Sequence, residues 1–202
     1  MAHDCAAAAW PVRTRMAGVG HLPRPAPPWQ HAIMVNTKRR QSFEQGHQRK
    51  LLVVVDETPE VESALFFAAH RIKRTGGKLL LLYVIEPQDF QHWMGVKDIH
   101  RQEGVNKAAA IFRLFRRKLT LAGFDETVVE EVIREGVKSE QIVELIHADE
   151  DIGVLVLGAS TDTRGPGPLV STLAAGRYAG TFPIPITIVP GGLKPEDIAT
   201  LA

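Results

Sequence analysis

The stretch Leu51-Leu52-Val53-Val54-Val55-Asp56 decides the fold. Five apolar residues in an unbroken, valine-rich run are typical of a strand that is buried on both faces. A helix signal follows at once, because Thr58 can cap a helix and Pro59 suits its first turn. An apolar stripe at helical spacing then extends through residues 61–72. The sequence therefore predicts a buried strand that leads directly into an amphipathic helix.

The same alternation continues along the chain. Apolar runs predict four further strands, at residues 79–85, 127–133, 152–157 and 184–189, with helical patterns between them. Strands that alternate with helices form parallel βαβ units with right-handed crossovers. The chain is thus predicted to be an α/β protein: a doubly wound open sheet of five parallel strands with helices on both faces. We expect an irregular connection over residues 86–104 and an end to the fourth strand at Gly158.

Residues 1–48 are predicted to be a disordered extension. The chain up to residue 49 is basic, with seven Lys/Arg residues against two acidic ones, and its prolines break any helix. Met34 resembles an ordinary start, so we interpret residues 1–33 as a reading frame extended beyond the translated protein. The domain is expected over residues 49–191, and a C-terminal tail, residues 192–202, is expected to add one helical turn.

The composition favours a cytoplasmic protein without a membrane or nucleic-acid partner. The formal net charge of the whole chain is +1, and the basic residues of the extension are scattered. No apolar run approaches the roughly 18 residues that a membrane span needs. Arg39-Arg40 is followed by a polar segment, so a twin-arginine export signal is not expected. The single cysteine, Cys5, fits a reducing compartment.

Ligands of doubly wound sheets bind beyond the carboxyl ends of the strands, where the strand order reverses. Asp56 lies there, in a loop that has no glycine and that carries three carboxylates. Such a loop repels phosphate, but Asp56 can accept a hydrogen bond from a sugar hydroxyl or a base amine. The alternative is that Asp56 only stabilises the start of the next helix. The sequence leaves both interpretations open.

The loop after the fourth strand is rich in hydroxyls and glycines. Ser160, Thr161 and Arg164 suit an anion site. Pro166 and Pro168 argue against one, because they have no N–H to offer an oxyanion. A rigid connecting loop is an equally good interpretation.

The sequence gives little support for a catalytic function. The segment around Ser160 lacks the second glycine of a nucleophile elbow, and no histidine follows it. The cluster of His147, Asp149, Glu150 and Asp151 reads as a helix end followed by a solvated acidic loop rather than a metal site. We therefore predict neither an enzyme nor a metal-binding protein.

Taken together, several segments resemble the universal stress protein family. The opening strand with Asp56, the second strand ending Leu82-Tyr83-Val84-Ile85-Glu86-Pro87, and the run Leu155-Val156-Leu157-Gly158-Ala159-Ser160 carry the resemblance, which covers roughly residues 49–191. It implies a parallel sheet in the order 3-2-1-4-5. It also implies homodimers, often paired through the last strand, and in some members a bound ATP or AMP.

In the nucleotide-binding members, the loop after the fourth strand looks like a motif of two parts: Gly-x-x-Gly and, nine residues later, Gly-Ser/Thr. Here Gly158 matches the first glycine and Thr172 the hydroxyl, whereas Thr161 and Ser171 stand in place of the other two glycines. The resemblance also implies that Asp56 lies near the adenosine, that the backbone of Val84 meets the base, and that Gly136 lies near the ribose.

The adenosine half of the pattern is thus present and the phosphate half is altered. Side chains at positions 161 and 171 obstruct a close approach of the backbone to phosphate. We expect a non-catalytic stress-response or signalling module with a weak pocket for ATP or AMP, whose phosphates would meet Ser160, Thr161, Arg164 and Thr172. The alternatives are an ATP-binding switch or slow ATPase, and a dimeric interaction protein without a ligand. The apolar fifth strand is expected at a sheet edge, where it would pair two protomers.

Overall fold

The computed structural model describes residues 39–87, 94–176 and 178–202, with the side chains of residues 94–97 excepted. These residues fall within one compact unit, Val35–Ala202. The strands are β1 (Lys50–Val54), β2 (Lys78–Ile85), β3 (Val129–Glu135), β4 (Ile152–Ala159) and β5 (Ile186–Pro190). The helices are α1 (Glu60–Thr75), α2 (Met94–Leu121), α3 (Lys138–Ala148) and α4 (Pro195–Leu201), and a π-helical turn spans Val170–Ala174.

The five strands form one parallel sheet in the order β3-β2-β1-β4-β5, which confirms the predicted architecture. At its centre, Val53 of β1 lies beside Leu81 of β2 and Val156 of β4. The chain passes from β1 through β2 to β3 on one side and then crosses to β4 on the other. The strand order therefore reverses between β1 and β4, and the loops at this point are those that can hold a ligand.

The side chains of β1 alternate between two apolar cores. Leu51 and Val53, with Val55 just after the strand, pack with α1 and α2, whereas Leu52 and Val54 pack with α3 and the π-helical turn. Burial of such a side chain contributes roughly 1.5–3 kcal/mol. This double burial explains why the strand reads as an unbroken apolar run.

The predicted connection over residues 86–104 is wrong in its second part, because α2 already begins at Met94. Gly104 weakens the helix signal there, since glycine disfavours a helix interior. Packing explains the glycine: a Cβ at this position would lie 2.8 Å from Cδ1 of Ile85. Because glycine has no Cβ, α2 can lie against the end of β2.

Other boundaries also differ from expectation. β3 runs two residues later than predicted, β4 continues past Gly158 to Ala159, and the tail forms a seven-residue helix on α1 rather than one turn. Thr58 does not cap α1; the residue before the helix is Pro59, and no side chain caps it. The hydroxyl of Thr58 instead donates to Oδ1 of Asp56 at 2.6 Å.

Most of the predicted extension, residues 1–38, lies outside the described residues. Its last ten residues are described and contact the domain. Nη1 of Arg40 donates to the carbonyl oxygens of Ile146 (2.5 Å) and Asp149 (3.0 Å) at the end of α3, and Oγ of buried Ser42 donates to the carbonyl of Asp151 (3.0 Å). Within the described ranges, no helix is both long and apolar enough to span a membrane.

Candidate functional site

Asp56 lies directly beyond the carboxyl end of β1, where its side chain is held in a tight turn. Oδ1 accepts hydrogen bonds from the backbone N–H of Thr58 (2.9 Å) and from its hydroxyl (2.6 Å). These two bonds fix the carboxylate between the strand and the start of α1. Oδ2 faces Lys138, 3.5 Å from Nζ.

Lys138 is a site residue that the sequence analysis missed. It is the first residue of α3, and its Nζ lies 3.5 Å from Oδ2 of Asp56 and 3.5 Å from Oε2 of Glu86. Charge-assisted hydrogen bonds are usually about 2.7–2.9 Å long, so both contacts are loose. Its position in the sequence could have indicated this role. The carboxyl ends of neighbouring parallel strands meet at one edge of the sheet, and Lys138 follows β3 closely.

Gly136 provides the backbone geometry that places Lys138. Its φ is +137°, a conformation that residues with a side chain rarely adopt, and its N–H donates to the carbonyl of Ile85 at 3.0 Å. The chain can therefore turn sharply from β3 into α3 beside the end of β2.

An open cleft of about 500 Å³ lies beyond β1 and β2, and we name it the outer cleft. Four carboxylates and two lysines line it, and the hydrogen bond from Lys107 to Glu57 raises the pKa of Lys107. The lining residues are Asp56, Glu57, Thr58, Tyr83, Val84, Ile85, Glu86, His100, Glu103, Gly104, Lys107 and Lys138. The outer cleft thus carries an excess of negative charge.

A much smaller cavity, the inner cavity, lies between β1, β4 and the start of α1. Its volume is about 70 Å³, it is open to solvent on one side, and Asp56, Thr58 and Lys138 line both it and the outer cleft. Its other lining residues are Val54, Glu60, Val61, Leu157, Gly158, Pro166, Gly167, Pro168, Leu169 and Val170. This volume equals that of about two water molecules in the liquid.

Gly158 closes one wall of the inner cavity by packing against the backbone of α1. A Cβ at this position would lie 2.2 Å from the carbonyl oxygen of Glu60 and 2.6 Å from its carbonyl carbon. Real Cβ atoms do not approach a backbone so closely. Gly158 is therefore required for the packing of α1 on β4, whatever else it contacts.

The predicted phosphate residues lie apart from both spaces. Arg164 is exposed and paired with its neighbour: its backbone N–H and its guanidinium donate to the carboxylate of Asp162, which raises the pKa of Arg164 and lowers that of Asp162. Oγ of Ser160 accepts from the N–H of Asp162 at 3.2 Å, and the N–H of Ser160 donates to the carbonyl of Pro166 at 3.1 Å. The loop after β4 is thus held by hydrogen bonds among its own residues.

The structure brings one half of the predicted site together. Asp56 and Val84 line the outer cleft, Gly158 lines the inner cavity, and Gly136 lies at the turn before Lys138. The lining of neither space includes the remaining predicted residues, which are Ser160, Thr161, Arg164, Ser171 and Thr172. In the described part of the chain, no group of three or more His, Cys, Asp or Glu side chains can hold a metal ion.

The fold and the position of the clefts define a doubly wound α/β protein with a ligand-sized cleft beyond β1 and β2 and a smaller cavity at the reversal of strand order. A profile of the universal stress protein family matches residues 48–190, so the chain belongs to this family. The sequence is not a significant match to any curated protein.

Solved structures share the fold. The universal stress protein UspA from Lactobacillus plantarum is 18% identical, with a TM-score of 0.56, over 70% of this chain and 97% of that one. A universal stress protein from Archaeoglobus fulgidus is 16% identical, with a TM-score of 0.50, over 74% of this chain and 99% of that one. At these identities the likeness concerns the fold alone.

The close approach at Gly158 yields a prediction about stability. Gly158→Ala forces the start of α1 to shift, and overpacking of this kind costs about 1–3 kcal/mol. We expect a correspondingly lower midpoint in urea unfolding. The matched control is Gly180→Ala, because a Cβ there meets nothing within 4 Å. Equal midpoints for the two variants would show that Gly158 is not needed for packing.

Proposed function

We propose that this protein is a non-catalytic, cytoplasmic stress-response and signalling module that binds an adenine nucleoside or nucleotide weakly, through the nucleoside. The observation that carries the proposal is the contrast between the two spaces beyond β1: an outer cleft of about 500 Å³ and an inner cavity of about 70 Å³. The first has room for a nucleoside, whereas the second is much smaller and its lining includes two carboxylates and two prolines without an N–H.

The backbone of Val84 supports binding of a base in the outer cleft. β2 extends three residues beyond Leu82, which is the last residue to pair with β1, and the carbonyl of Leu82 accepts from the N–H of Val55 at 2.8 Å. In a parallel sheet, successive residues of a strand direct their N–H and C=O groups to opposite neighbouring strands. The N–H and C=O of Val84 therefore point, like those of Leu82, to the β1 side of β2. In the described part of the chain no strand lies beside Val84 there. A donor and an acceptor therefore face the cleft together, as the edge of an adenine requires.

Asp56 supports binding of the sugar or the exocyclic amine. Its Oδ1 is fixed by Thr58, whereas among the described residues Oδ2 makes only the loose contact with Lys138. A ligand hydroxyl or amine can donate to Oδ2 without breaking the turn. A carboxylate that accepts from a neutral donor makes a hydrogen bond worth roughly 1.5–3 kcal/mol.

The phosphate side gives much weaker support for binding. Pro166 and Pro168 line the inner cavity without an N–H, Gly158 is covered by α1, and Arg164 is paired with Asp162 in solvent. Hydroxyl and arginine contacts from this loop would need its rearrangement, at an entropic cost. Phosphates should therefore add little to the affinity.

The test is calorimetry with adenosine, AMP and ATP. We expect ATP to bind no more than a few-fold more tightly than adenosine, and Asp56→Ala to weaken all three alike by about tenfold, the loss of one charged hydrogen bond. Asp125→Ala is the matched control, because Asp125 is an exposed aspartate in the loop before β3, near the opposite end of the sheet. Tight binding of ATP with weak binding of adenosine would contradict the proposal, and so would an equal effect of the two variants.

We also propose that two protomers pair through β5. β5 is an edge strand, bonded to β4 on one side, and 43% of Ile188 is exposed on it. An exposed apolar edge favours association unless it is covered. A two-fold axis along such an edge would bury the same strand of both protomers.

Light scattering at micromolar concentration tests the dimer. Ile188→Lys places a charge in the proposed interface and should give a monomer with an unchanged circular dichroism spectrum. Ile133→Lys is the matched control, since Ile133 is similarly exposed, at 37%, on the opposite edge strand β3. A monomeric wild-type protein, or a dimer that survives Ile188→Lys, would overturn the proposed interface.

A further inference from the structure

Glu60 is an acidic residue in the lining of the inner cavity. It is the first residue of α1, half-buried, and it lines the cavity together with Asp56 and Lys138. Two carboxylates thus share a space of about 70 Å³ with one lysine, and that lysine is already paired with Asp56 and Glu86.

Three glycines from separate parts of the chain surround Glu60. A Cβ at Gly158 would lie 2.2 Å from its carbonyl oxygen, and a Cβ at Gly191 would lie 2.9 Å from its Cβ. A Cβ at Gly167 would lie 4.0 Å from its Oε1 and 3.9 Å from Cβ of Ser160. The first two glycines hold the backbone of Glu60 closely. The third lies beside the carboxylate, which therefore reaches toward the loop after β4.

The position of Glu60 in the helix favours a negative charge. Glu60 lies in the first turn of α1, where the helix dipole stabilises a negative charge. A phosphate at a helix N-terminus would use the same stabilisation. Since Glu60 already supplies the anion, a phosphate that entered would meet an unfavourable like charge at close range.

We infer that Glu60 selects an uncharged nucleoside over a nucleotide, so that adenosine is the ligand class of this protein. The inference rests on the proposed function, because it concerns the same site. It adds to that proposal one side chain that repels phosphate beside the altered loop. Removal of this one charge should therefore lessen the penalty on phosphate.

The experiment compares Glu60→Gln with the wild-type chain in calorimetry with adenosine, AMP and ATP at a fixed salt concentration. The glutamine keeps the shape and removes the charge. AMP and ATP should bind about tenfold more tightly to E60Q than to the wild type, because a like-charge contact at short range is lost. Adenosine should bind with an affinity changed by less than about twofold, since it carries no charge to repel.

Glu62→Gln is the matched control. Glu62 lies in the same first turn of α1 and carries the same charge, but it does not line the inner cavity. E62Q should leave the ATP-to-adenosine affinity ratio as in the wild type, and a thermal melt of each variant reports whether it is folded. Should E60Q fold poorly, Glu60→Ser removes the same charge with a side chain suited to a helix start.

The outcomes separate this inference from the function on which it rests. An ATP-to-adenosine affinity ratio that is the same in E60Q, E62Q and the wild type would overturn the role of Glu60 while leaving adenosine binding intact. Wild-type protein that binds no adenosine, together with E60Q that binds ATP, would refute the proposed function but uphold the role of Glu60. If neither protein bound any of the three ligands, both proposals would be wrong.

Discussion

The contact between Gly158 and the backbone of Glu60 is the constraint on which the site depends. A carbonyl oxygen that would lie 2.2 Å from a Cβ can be accommodated only by glycine, and this contact brings the start of α1 directly onto β4. Gly191, after β5, meets the side chain of the same residue. With α1 held from both strands, the turn at Asp56 has little freedom, and the space left between β1 and β4 is small. The same contact therefore fixes the packing of a helix and sets the size of the inner cavity.

The electrostatics of the two spaces follow from this arrangement. Lys138 lies between Asp56 and Glu86, 3.5 Å from each, and it lines both the outer cleft and the inner cavity. Loose, partly exposed ion pairs of this kind add little to stability. Their effect is on the ligand, because a neutral group can enter without disturbing them, whereas an anion must compete with carboxylates. Under the proposed function, the outer cleft accepts a nucleoside and the inner cavity disfavours phosphate.

Much of the fold could be predicted from the sequence, and the reason is visible in β1. A strand buried on both faces must be apolar throughout, so residues 51–55 can be recognised as a strand from the sequence alone. α2 was harder to read, because Gly104 disfavours a helix locally and is required by a contact with Ile85 that only the tertiary structure reveals. The attachment of Arg40 to the end of α3 was invisible for a similar reason, since its partners are backbone carbonyls more than 100 residues away.

The site was predicted only in part, for the same physical reason. Asp56 and Val84 could be placed from the ends of their strands. Glu60 appeared only as one of the three carboxylates that follow the first strand, and nothing in the sequence shows that Gly158, Gly167 and Gly191 lie around it. Lys138 could have been found, because residues that follow neighbouring parallel strands meet at one edge of the sheet. Arg164 looked like an anion ligand, but its nearest partner is Asp162, two residues away.

The most direct test of the account is what the protein retains when it is purified without added nucleotide. Protein taken through gel filtration and then denatured releases any tightly held small molecule, which chromatography and mass spectrometry identify and quantify against the protomer. A weak nucleoside cleft beside a narrow, acidic inner cavity predicts at most a small fraction of one equivalent of adenosine, and no ATP. Release of ATP at one equivalent per protomer would show that the phosphates are bound after all, and would contradict the account.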